Sequence, residues 1–226
     1  MVHPRVLVLV TCASVAVFAA LLVAVAVHGG PLPLDGAVRD LFAGVSTDRS
    51  RRALRPLGRL GAREVLVPLL VLGGGWVSLR RRTPGPLLLL VGSYLGMAMV
   101  VGPVKSILHR PEPFDLPGEI GRSFPSGHAA QAALVYGLLA VLVAVRPVPA
   151  RARAALAAGP VLLCAVVGFV VLFRDSHWLS DMVAGYAVGL AWTTGPVAAA
   201  LLWAPWLLGL PGPGSRRRTR VAELSG

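Results

Sequence analysis

Residues 154–173 read AALAAGPVLLCAVVGFVVLF. They are followed by Arg174-Asp175-Ser176-His177-Trp178-Leu179-Ser180-Asp181, and Met182 then opens a second apolar run that reaches Leu208. An apolar stretch of about 20 residues is what an α-helix needs to cross the hydrocarbon core of a bilayer. The polar octet therefore joins two membrane helices at one membrane surface. Ionisable groups at such depth are costly and usually mark a site.

The same pattern recurs along the chain. Candidate spans fall at Val6–Val27, Glu64–Leu79, Pro86–Leu108, Ala129–Val145, Ala154–Phe173 and Met182–Leu208. The run from Val6 is longer than the apolar core of a signal peptide, so it reads as a retained first helix. The second span contains Gly73-Gly74-Gly75, tolerable where helices pack closely. The last is long enough to tilt or to end in an interfacial Trp203–Trp206 segment. The fold class expected is all-α: a polytopic membrane protein with six transmembrane helices in a bundle. The whole chain, 1–226, forms a single integral membrane domain.

Composition agrees. Of 226 residues 55% are hydrophobic and 14% charged, with a mean hydropathy of +0.72. A soluble domain of this length cannot hide so much apolar surface. The net charge of +12 is spread over Arg80-Arg81-Arg82, the 146–153 loop and Arg216-Arg217-Arg218 with Arg220, each just beyond a span. That distribution describes membrane topology rather than a nucleic-acid surface. The spans hold few polar residues, Ser93, Tyr94 and Gln131 among them, which disfavours a transporter. Cys12 and Cys164 lie inside apolar runs and form no disulfide framework.

With the basic loops placed inside, both termini are cytoplasmic, and 210–226 is a basic cytoplasmic tail. Segments 28–63, 109–128 and 174–181 are then extracytoplasmic. The 28–63 segment carries seven arginines against this rule. Its apolar positions (Val38, Leu41, Phe42, Val45; then Leu54, Leu57, Leu60) recur at helical spacing. We expect interfacial helices there, with arginine stems lying along lipid; a solvated loop is the alternative.

Two polar segments thus share the outer ends of helices 3–6. His177 and Asp181 are four apart, so on a helix they share a face, and the carboxylate would fix the imidazole tautomer and leave its other nitrogen basic. Taken singly, the pair could equally hold a loop. His128 follows Pro125-Ser126-Gly127 and opens a span. Backbone N–H groups at a helix start form an anion site, Gly127 allows close approach, Ser126 caps or donates, and His128 suits a general acid. Lys105 and Arg110, ending the preceding span, could clamp phosphoryl oxygens or simply anchor the helix at the interface.

Together these segments resemble the membrane-bound type-2 phosphatidic acid phosphatases, relatives of the vanadium-dependent haloperoxidases, over about residues 60–205. The family pattern is Lys-x6-Arg-Pro, Pro-Ser-Gly-His and Ser-Arg-x5-His-x3-Asp. The middle motif is intact at Pro125–His128; the third keeps His177-x3-Asp181 and continues Met-Val-Ala-Gly185; Lys105 starts the first. The resemblance implies His177 as nucleophile, His128 as acid and Asp181 as the partner that orients His177. It implies phosphate binding by Lys105, Ser126 and Gly127, an outward-facing site, and no metal or other cofactor. The implied partners are the bilayer and a lipid phosphate or pyrophosphate substrate: an isoprenoid pyrophosphate, phosphatidic acid or phosphatidylglycerol phosphate.

Two family arginines fall elsewhere: on Glu112 in the first motif and on Val171, after Val170, in the third. Arg110 and Arg174 are the candidate replacements, with Glu112 or Asp175 pairing one of them. The competing reading is a catalytically degenerate member that binds anionic lipid without efficient turnover.

Overall fold

The computed structural model describes residues 3–113 and 121–210. The basic tail at Arg216–Arg220 lies outside the described residues. Among the described residues eight α-helices follow one another: α1 Pro4–His28, α2 Pro33–Ala43, α3 Asp48–Gly58, α4 Arg63–Arg81, α5 Gly85–Leu108, α6 Gly127–Ala144, α7 Ala150–Phe173 and α8 Leu179–Trp203. A 3₁₀ turn, Arg59–Gly61, links α3 to α4, and another, Pro205–Leu208, follows α8. Among the described residues six segments are long and apolar enough to cross a membrane: α1, the continuous Asp48–Arg81 segment that joins α3 to α4, and α5, α6, α7 and α8.

The expected spans are these six helices, most of them started a few residues early. Helix α6 begins at Gly127 because Ser126 caps it, its hydroxyl accepting the Ala129 N–H at 3.4 Å. Helix α1 takes Pro4 in its first turn and stops at Gly29, whose φ of 64° suits a residue without Cβ. Prolines 68, 103, 160 and 196 stand inside spans, where neighbouring helices and local adjustments accommodate them.

Helix α6 is the central element, packed on α4, α5, α7 and α8, while α1 lies along α8. Its Ala130, Leu134, Val135, Leu138 and Leu142 are buried, whereas Leu9, Leu72, Met99 and Trp203 on outer helices face outward. Such an apolar exterior is what lipid contact requires. Small residues set the closest approach. A Cβ at Gly185 of α8 would stand 2.5 Å from the Ser126 carbonyl oxygen and 2.7 Å from Ala129 Cβ; one at Gly189, a turn on, would collide with the Ala130 carbonyl oxygen.

Because the helices alternate in direction, one end of the bundle collects the last turns of α1, α5 and α7 and the first turns of α4, α6 and α8. Arg80–Arg82, Arg146, Arg151 and Arg153 are at the opposite end. The 28–63 segment is helical, as its spacing predicts, and is more than a surface covering: α2 packs on α7 and α8, and α3 on α7. Phe42 of α2 meets the Phe169 and Phe173 rings edge-on at 5.8 and 5.9 Å.

Candidate active site

The α7–α8 connection places the first histidine. Trp178 is the residue before α8, so His177 precedes the helix and Asp181 is the third residue within it. The two meet because Asp181 folds back to the helix start rather than because both ride one helical face. Its Oδ2 accepts the Trp178 N–H at 3.0 Å and stands 3.4 Å from His177 Nδ1. An acceptor at that nitrogen fixes the tautomer and leaves Nε2 for chemistry. The Asp181 side chain is fully buried and that of His177 nearly so.

Helix α6 supplies the second histidine. The Ser126 N–H donates to the Asp181 carbonyl at 3.0 Å, and the Gly185 contact holds the same loop against α8. The His128 and His177 rings stand 6.4 Å apart between centroids, edge to face. The first amides of α6 have no acceptor within the helix, so Gly127 and His128 offer N–H groups at the positive end of its dipole. Lys105 reaches this loop from α5: its Nζ donates to the Arg122 and Ser123 carbonyls at 2.5 and 3.3 Å. Its Cε lies 3.9 Å from where a Gly127 Cβ would stand. Lys105, Glu64 and Arg174 lie within electrostatic range of His128, and Glu112 within range of Lys105.

Arg110 is not where the sequence reading puts it. Its NH1 donates to Asp181 Oδ1 at 2.5 Å and Ser180 Oγ at 2.8 Å; its NH2 donates to Asp35 Oδ2 at 2.7 Å and the Gly30 carbonyl at 3.1 Å. All four terminal N–H groups are thus spent on protein acceptors. The side chain is 2% exposed, and Trp178 lies 5.8 Å from its guanidinium. A buried cation seeks carboxylates that compensate its lost hydration, and two were at hand. Nor does Asp175 pair with Arg110 or Arg174: it holds Arg39 of α2 at 3.2 Å. Arg174, by contrast, caps α7 half-buried with no hydrogen bond or ion pair from its side chain among the described residues. Val170 and Val171, at the family's Ser-Arg positions, point into the core.

Asp35 joins this network although no motif in the sequence marks it. It accepts the Ser180 N–H and hydroxyl at 2.7 Å each and the Leu32 N–H at 2.8 Å, in addition to Arg110. Burial pushes its carboxyl pKa up, but these hydrogen bonds from Ser180, Leu32 and Arg110 outweigh it, and the net shift is downward. Asp35 is therefore ionised at neutral pH. The available signal was faint, an acid in the first turn of an amphipathic helix, which ordinarily means only a cap.

The chain is thus a helical membrane protein in which two histidines and an aspartate meet at the start of α6. The PAP2 superfamily profile matches residues 86–206, more than half the chain. The chain belongs to the PAP2 superfamily. Phosphatidylglycerophosphatase B of Bacillus subtilis (strain 168) is 28% identical over 176 residues, 75% of this chain and 85% of that protein. The crystal structure of a transmembrane PAP2-type phosphatidylglycerolphosphate phosphatase from Bacillus subtilis superposes with a TM-score of 0.73 at 23% identity. It covers 85% of this chain and 96% of that one. That likeness establishes the fold.

Proposed function

We propose that the protein hydrolyses a membrane lipid phosphate or pyrophosphate through a phosphohistidine. His177 Nε2 attacks phosphorus while the bond to the leaving oxygen breaks and His128 gives that oxygen its proton. Water then attacks the phosphohistidine, His128 takes its proton, and the N–P bond breaks to release phosphate. Asp181 holds the Nδ1 proton as the ring gains charge. Lys105, Ser126, the Gly127 and His128 amides and Arg174 surround the phosphoryl oxygens, supplying the positive charge that a metal would otherwise bring.

The observation that carries this reading is the 3.4 Å His177–Asp181 pair with the His128 ring 6.4 Å away at the start of α6. Superfamily membership supports phosphatase chemistry, and the Bacillus relative makes phosphatidylglycerol phosphate the first substrate to try. The basic loops at the opposite end favour an extracytoplasmic site, within reach of a lipid whose tail stays between helices.

The test is inorganic phosphate release by the purified protein in detergent with EDTA, on phosphatidylglycerol phosphate, phosphatidic acid and a prenyl pyrophosphate. Turnover that His177→Ala abolishes is the expected result. Glu112 and Val171, standing where the family carries arginines, favour a second reading, a lipid binder without efficient turnover. Binding of the lipid phosphates with no release above the His177→Ala background would select it.

A further inference from the structure

The superfamily match begins at residue 86, yet a fully buried carboxylate of the site comes from α2, fifty residues upstream. Asp35 and Asp181 are each the third residue of a helix, and each reaches back to the N–H before it. They face each other across one guanidinium, with Ser180 between them: Ser180 Oγ accepts from Arg110 and donates to Asp35. Two carboxylates share one guanidinium, so the network holds one more acidic group than basic. Were Arg110 to pair with Asp181 alone, the ion pair would be neutral and the field at His177 correspondingly weak. With Asp35 sharing the cation, the surplus charge is available to Asp181 Oδ2, 3.4 Å from His177 Nδ1. It is there that positive charge develops when the other nitrogen is phosphorylated.

We infer that Asp35 is a positioning residue: by sharing Arg110 with Asp181, it fixes the Asp181 carboxylate and leaves that carboxylate's charge for His177. The inference rests on the phosphohistidine reading above. It also makes α2 part of the catalytic unit and removes Arg110 from the substrate-binding set.

The test compares Asp35→Asn, Asp35→Glu, Ser180→Ala and Arg110→Met with the full-length wild type, after thermal midpoint and size-exclusion profile have been recorded for each. Asp35→Asn keeps the shape and loses the charge. Its kcat falls on the order of tenfold, as when the outer partner of an oriented imidazole is removed. KM and competitive inhibition by inorganic phosphate stay at wild-type values, because no substrate contact is lost. Asp35→Asn in an Arg110→Met background lowers kcat no further, since both act through one carboxylate. Additive losses that track the thermal midpoint would overturn the inference, as would a change in phosphate inhibition in Arg110→Met with kcat intact.

A second readout does not depend on turnover. In ¹⁵N-histidine-labelled protein the His177 Nδ1 proton, assigned by its absence in His177→Ala, moves upfield in Asp35→Asn; an unmoved signal refutes the inference. Absence of wild-type turnover would sink the phosphohistidine reading alone, and the resonance would still decide the role of Asp35.

Discussion

Replacing Gly185 with alanine adds one methyl group where α8 touches the loop that carries His128. That methyl carbon would stand 2.5 Å from the Ser126 carbonyl oxygen, 2.7 Å from Ala129 Cβ and 3.3 Å from the Ala130 nitrogen. An ordinary C···O approach is about 3.3 Å, so the shortfall is about 0.8 Å. None of the three atoms belongs to a flexible side chain that can swing aside: two are backbone atoms and one is a Cβ. The helix start itself must therefore retreat. The Ser126 N–H to Asp181 carbonyl bond, now 3.0 Å, lengthens with it, and His128 moves away from His177 by a similar amount. Overpacking of this kind costs about 1–3 kcal/mol of stability. A displacement of about 1 Å between reacting groups costs on the order of 100-fold in rate. We therefore expect Gly185→Ala to keep its fold, lose a few degrees of thermal midpoint in detergent, and lose on the order of 100-fold in phosphate release. Gly92→Ala is the control, since a Cβ there meets nothing within 4 Å. Full activity and an unchanged midpoint in Gly185→Ala would refute the close approach and the positioning argument built on it.

Arg174→Ala should lower kcat/KM by roughly 10²–10³, the cost of a lost donor to a developing oxyanion, and should weaken competitive inhibition by phosphate; full activity would exclude Arg174 from the site. Acid stability should show the Asp35 carboxyl. Its folded pKa lies below the ordinary 3.8, so its contribution is complete above that value and disappears as pH falls through the folded pKa. The thermal midpoint should therefore drop below about pH 4 in wild type by more than in Asp35→Asn, and equal acid sensitivity would contradict the network. For orientation, Cys12 and Cys164 are first replaced by alanine. A membrane-impermeant thiol reagent on intact cells should then label Thr47→Cys, between α2 and α3, but label Pro147→Cys, between α6 and α7, only after permeabilisation. The reverse pattern would invert the topology.

The amino-acid sequence was enough to locate the six spans, because about 20 consecutive apolar residues have no folded alternative to a helix in lipid. It misplaced their starts by a few residues where a helix begins on its cap: Ser126 and Trp178 lie outside the apolar runs that hydropathy detects. It also brought His177 and Asp181 together, since residues four apart meet by local geometry alone, though here through the turn before α8 rather than along its face. The Ser-Gly-His segment was legible as a helix start for the same reason, and a helix start carries its unpaired N–H groups wherever it is folded. Arg110 marks the limit. A guanidinium is compatible with a substrate phosphate and with a carboxylate, and nothing near it in the chain distinguishes them. Its acceptor Asp35 lies 75 residues away, and Ser180, which joins them, lies 145 from Asp35. Pairings at such separation leave no periodicity in the sequence. It is the packing of α2 against α7 and α8 that turns Arg110 inward and gives Asp175 to Arg39, while among the described residues the Arg174 side chain has no hydrogen bond or ion pair and lies within electrostatic range of His128.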